Sequence, residues 1–144
     1  MNLENRERVA SLHKYFLNSS RMKTHYDARA VEHGVAAYPG DSDWSDQWIY
    51  LSLWYSTLFV VAEGWQELGL VDDEIGQFLD HEENLSSLRK FRNGVFHFQP
   101  KYHDDRLVDF ISLGAQSAVW VRGLHSALGR SLLARMQDLS MAEE

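Results

Sequence analysis

The stretch WIYLSLWYSTLFVVA, residues 48–62, runs for 15 positions without a charge. As an α-helix it would be about 22 Å long, short of the roughly 20 residues that a bilayer core requires. Asp43, Asp46 and Glu63 flank it, where a membrane anchor would carry lysines. It is therefore expected to be a buried core helix. Such a helix must be surrounded, so the rest of the chain has to supply amphipathic helices on several sides.

The rest of the chain has the right patterning. Residues 4 to about 35 place Val9, Leu12, Tyr15, Phe16, Tyr26 and Ala30 at helical spacing. Asn18-Ser19-Ser20 is a weak point there, leaving one helix or two open. Pro39-Gly40 marks a turn, and Asp43 or Ser45 can cap the apolar helix, which runs from about Ser45 to Leu68 and stops near Gly69. A short helix is expected over residues 72–79, with acids in its first turn where the helix dipole favours them. Asn84 or Glu82 opens a fourth helix, residues 83–98, which Pro100 ends. After a loop over residues 99–103, Asp104-Asp105 starts a last helix reaching about Asp138. Its stripe is Leu107, Phe110, Ile111, Gly114, Ala118, Val121, Leu124, Leu128 and Leu132, with a loose tail SMAEE. Strand-period alternation and repeats do not occur. The expected fold class is all-α, an up-and-down bundle of four to five helices forming one domain over residues 1–144.

Composition removes several functions. A net charge of −7 argues against general affinity for nucleic acid, though not against a local basic patch. The absence of cysteine excludes a thiol nucleophile, a disulfide scaffold and a cysteine zinc site, and fits a reducing cytoplasm, the expected location. MNLENRERVA is too polar for a signal peptide. The histidines lack metal-ligand spacing, and neither a phosphate loop nor a nucleophile elbow is present, so no metal and no cofactor are expected.

Residues 91–98, FRNGVFHF, set polar groups among phenylalanines. Asn93 and His97 are four apart and share a helix face. Arg92 and His97 are five apart, roughly 140° around an ideal helix, so one helix does not aim both at one point. Either the helix distorts before Pro100, or two copies face each other across a two-fold axis, with Gly94 letting backbones approach. The residue types suit RNA cleavage by the 2′-hydroxyl. Histidine ordinarily titrates near neutrality, and arginine is a permanent cation with a fork that fits phosphate. Asn93 can orient the histidine or donate to the phosphate. Arg89, Lys90, Lys101 and Arg106 concentrate positive charge nearby, while Tyr102 and His103 can stack on a base. Plainer alternatives stay open. Arg92 can form an ion pair with Glu63 that ties two helices, and Glu63 needs such a partner if it is buried. His97 can be a helix-end histidine favoured by the dipole.

An arginine followed by a polar residue, with a histidine five positions on, in a late helix of a small all-helical chain resembles the HEPN domain. The resemblance rests on Arg92, Asn93 and His97 and on the helix order. It implies a two-fold homodimer acting as a metal-independent endoribonuclease, often a toxin or phage-defence component. Arg92 would hold the phosphate, His97 would handle the proton, Asn93 would orient, and Glu63 would support Arg92. The ends left by this chemistry are a 2′,3′-cyclic phosphate and a 5′-hydroxyl. Other HEPN proteins are non-catalytic modules that bind RNA, a nucleotide or a protein. The partners implied are RNA, a second copy, and a cognate antitoxin or nucleotidyltransferase. Some HEPN toxins place a tyrosine two residues after the histidine, as acceptor for inhibitory nucleotide transfer. Here Phe98-Gln99 follows instead.

Overall fold

In a computed structural model, which describes residues 2–36 and 43–142, the chain is all-helical, with six α-helices and no strand among the described residues. They are α1 (Leu3–His33), α2 (Trp44–Glu67), α3 (Asp73–Leu79), α4 (Glu82–Phe96), α5 (Asp105–Ser112) and α6 (Ala115–Met141). α2 is central. Trp54, Leu58, Phe59, Val61 and Ala62 are each at most 1% exposed, whereas Leu53 and Val60 are only half-buried and Ile49 is 48% exposed, so the helix is covered on most sides but not all round. α1 and α4 pack on α2, α6 on α1, α5 on α4 and α6, and α3 on α6. No helix is long and apolar enough to cross a membrane, among the described residues.

α1 does not break at its weak point. Ser19 is fully buried and its hydroxyl donates to the Trp54 carbonyl at 3.0 Å. A buried hydroxyl needs a partner, and the neighbouring helix supplies it, so the serine ties two helices instead of ending one. Val9, Leu12 and Phe16 face the core, whereas Tyr15, expected on the same stripe, is half exposed.

The expected Pro39-Gly40 turn lies outside the described residues. Asp43 stands at the N-cap of α2 without a side-chain cap bond. Its carboxylate instead accepts from Arg29 Nη2 at 2.6 Å and from Gln47 Nε2 at 3.2 Å. Arg29 also bonds Asp46. Gln47 reaches back to α1, donating to the Gly34 carbonyl and accepting from the Ala36 N–H, each at 2.8 Å. These bonds lock the end of α1 to the first turn of α2.

The helix count exceeds the expected four to five because the last helix is two. Gly114 adopts φ +64°, a left-handed conformation that glycine reaches without steric cost. The N–H groups of Leu113 and Gly114 close back on the Phe110 and Ile111 carbonyls. α6 then restarts in a new phase, with Ser117, Trp120, Val121 and Leu124 buried, and continues to Met141, past the expected end at Asp138. Phe110 remains fully buried, but Ile111 is 38% exposed, so the proposed single stripe is interrupted.

Candidate functional site

α4 carries the polar residues of the FRNGVFHF stretch, and it ends at Phe96, two residues earlier than expected. Arg92 lies toward α2. Its guanidinium carbon is 4.7 Å from the Phe59 ring centroid. Nε donates to Asn93 Oδ1 at 2.9 Å, and Nη1 donates to Glu63 Oε2 at 3.2 Å. Cation–π contact, hydrogen bond and ion pair together fix the direction of the side chain. The expected pair with Glu63 forms, but at the surface: the Arg92 and Glu63 side chains are 22% and 52% exposed. Asn93 orients Arg92 rather than His97.

His97 is the first residue off the helix, at φ −117° and ψ 127°, with its N–H still bonded to the Asn93 carbonyl at 3.1 Å. Pro100 disfavours helical backbone at Gln99, so the chain has to leave the helix before it. The His97 side chain is exposed and has no hydrogen bond to another described residue. It lines a cleft of about 620 Å³ between the start of α2, the end of α4, the following loop and α5. Arg92 does not line that cleft. Within one chain, then, the two residues belong to different surfaces, and the distortion before Pro100 does not unite them.

Gly94 also serves a different purpose from the one expected. A Cβ there would sit 2.8 Å from Leu107 Cδ2 and 3.1 Å from Arg106 Cβ. The close approach it permits is used by α5 of the same chain, not by a second copy of α4.

The remaining predicted residues divide between the two surfaces. Arg89 joins Arg92 over the Phe59 ring, at 5.7 Å. Lys90 is exposed on α4. Lys101, Tyr102 and His103 line the cleft. Arg106 donates from Nη1 to Gln99 Oε1 at 2.9 Å, bracing the loop that carries them. Tyr102 stacks on Trp44 (centroids 6.4 Å, planes 27° apart) and meets His103 edge-on at 4.9 Å.

Trp44 and Trp48 escaped the reading of the sequence. Their rings are parallel to within 2°, with centroids 6.0 Å apart, and both line the cleft half-buried. The signal was there: two tryptophans at i, i+4 in the first turns of the apolar helix, where it is not yet fully covered. The described residues lining the cleft include one lysine and two histidines but no carboxylate. That is unusual surface in a chain with 21 acids. Among the described residues, no three His, Asp or Glu side chains come together where they could hold a metal ion. No family model matches the chain, and neither a curated protein nor a solved structure matches it.

Proposed function

We propose that the chain is a HEPN-type, metal-independent endoribonuclease working as a two-fold dimer. The observation that supports this most is the contrast at the end of α4. Arg92 is held by Glu63, Asn93 and Phe59, while His97, five residues on, is exposed between Phe96 and Phe98, which are 48% and 89% exposed, and has no side-chain hydrogen bond among the described residues. Large apolar groups at such exposure suit a surface that another molecule covers. A second copy laid on this surface would bring its Arg92 to the first copy's His97. One chain alone does not bring them together.

The chemistry follows from the residue types. His97 takes the proton of the 2′-hydroxyl, whose oxygen attacks the adjacent phosphorus. The bond from phosphorus to O5′ breaks, and the leaving oxygen takes up a proton. Arg92 offsets the charge that builds on the phosphoryl oxygens. Arg89, Lys90, Lys101 and Arg106 would hold flanking phosphates. A cognate antitoxin would act by covering this surface, since the position where a tyrosine would accept a nucleotide is Gln99.

A second reading, a binding module without cleavage, is favoured by one fact. Nε and Nη1 of Arg92 are already engaged by Asn93 and Glu63, which lowers its pull on phosphate. Incubating purified protein with mixed RNA and chelator, beside His97→Ala, separates the two. The nuclease cuts in chelator and the variant does not. Absence of cutting by the wild type, or equal cutting by the variant, removes the catalytic reading.

A further inference from the structure

We infer that the cleft beside His97 seats one unstacked base of single-stranded RNA against the aromatic platform of Trp44 and Tyr102, with its phosphate on Lys101. This deepens the ribonuclease reading and rests on it, because His97 lies in the same cleft and would face the phosphate next to the seated base.

Three observations converge on this occupant. The first is shape. Trp44, Trp48 and Tyr102 present ring faces that are nearly parallel, at 2° and 27°, and none of the three is fully buried. Every base has a flat π-face, so such a platform accepts bases with little regard to sequence. The second is charge. An apolar peptide or a lipid tail would need no cation, yet this apolar cleft has Lys101 in its lining and no carboxylate among the described lining residues, in a chain of net charge −7. A flat apolar body joined to an anion is the chemistry of a nucleotide. The third is rigidity. Trp44 stands on the turn of α2 that Gln47 and Arg29 lock to α1, and Arg106 braces the loop bearing Tyr102 through Gln99. Preorganised faces lose less entropy on binding. The volume, about 620 Å³, lies within the range of sites for single small ligands.

The test uses the full chain and a fluorescein-labelled single-stranded RNA octamer carrying 2′-O-methyl groups, which cannot be cut by 2′-hydroxyl attack. Binding is read by anisotropy, and cleavage separately on unmodified RNA. Tyr102→Ala and Trp44→Leu should each weaken octamer binding about 5- to 100-fold. Lys101→Ala should weaken it less and flatten its salt dependence. A duplex of the same sequence, its bases stacked, should bind far more weakly. Unchanged octamer affinity in Tyr102→Ala overturns the inference. That variant decides the matter even if Trp44→Leu does not fold, because Tyr102 is 63% exposed and outside any helix. Uridine or adenosine monophosphate competing as tightly as the octamer overturns it in favour of a free nucleotide. A dimer that falls apart in Tyr102→Ala with RNA affinity intact overturns it in favour of a second copy. The two readings fail separately. A wild type that binds the octamer through Trp44 and Tyr102 but cuts no RNA keeps the cleft and removes the nuclease. Cutting with an unchanged KM in Tyr102→Ala keeps the nuclease and removes the cleft.

Discussion

Trp54 and Trp44 lie ten residues apart on α2, and each belongs to an aromatic group that includes a histidine. Trp54 is 1% exposed and its indole N–H donates to His125 Nδ1 at 3.1 Å. The His125 ring packs against Phe16 with centroids 4.8 Å apart, and burial pushes its pKa down to about 4. It is a neutral acceptor at physiological pH, and the fold uses its Nδ1. At the N-terminal end of α2, Trp44 is half-buried, Tyr102 is exposed, and the His97 side chain has no hydrogen-bond partner among the described residues. Residue types that look alike in sequence thus divide into a satisfied core and an unsatisfied surface. The difference is whether the polar atom already has a partner.

The largest effect expected from this division is on cleavage. His97→Ala and Arg92→Ala should each lower RNA cutting by about 10²–10⁴-fold, the usual contribution of a positioned acid or base. The double variant should be little worse than either, since both act in one transition state. His97→Ala should leave chemical denaturation within about 0.5 kcal/mol of wild type, as for other exposed positions. A large loss of stability in His97→Ala would place it with His125 and undo the comparison.

In the core the same kind of change should act on stability instead. Trp54→Ala removes a fully buried ring and leaves Nδ1 of His125 without its donor, at a cost of about 3–5 kcal/mol by urea unfolding. RNA affinity of the folded fraction should not change.

The pH dependence of stability sharpens the contrast further. The folded pKa of His125 lies below its unfolded value, so the unfolded chain takes up the proton first as pH falls. The stabilisation is complete above about pH 6.5 and is lost progressively down to about pH 4, up to about 3 kcal/mol. His125→Gln keeps an acceptor near the indole N–H but does not titrate, so its urea midpoint should be flatter over this window. An equal slope in wild type and variant would show that His125 is not the titrating group.

Legibility followed the same physical line. The central helix, the surrounding helices and most of their bounds could be read because burial leaves a periodic trace. The Arg92–Glu63 pair could also be anticipated, one acid and one base each at the polar margin of an apolar face. The break at Gly114 was hidden because Phe110, Gly114 and Ala118 continue a helical spacing smoothly, and only the backbone angle at the glycine reveals the new phase. Gly94 was misassigned because the sequence shows a missing side chain but not which neighbour fills the space. The separation of Arg92 from the cleft was hidden by the early exit from α4, which a helix drawn to residue 98 conceals. The half-buried platform of Trp44 and Trp48 was hidden because the sequence does not record where the covering helices stop.

Glu63 gives the smallest expected effect and probes the boundary between the two regions. The sequence placed it at the end of a core helix, where a buried pair broken on one side would cost about 3–5 kcal/mol. The structure leaves its side chain 52% exposed, 3.2 Å from Arg92. Water screens a pair so placed, and Arg92 keeps Asn93 and the Phe59 ring when Glu63 is gone. Glu63→Gln retains the oxygen as a neutral acceptor and should cost no more than about 1 kcal/mol in urea unfolding, less in high salt. Its effect on RNA should have the opposite sign. Removing the carboxylate frees part of the Arg92 guanidinium for phosphate, so octamer affinity should rise modestly and its salt dependence should steepen. A loss of several kcal/mol would instead mean that Glu63 is covered, as it would be if a second copy buries this end of α2 and α4. Repeating the measurement across protein concentration distinguishes that case, because only an interface makes the loss concentration-dependent.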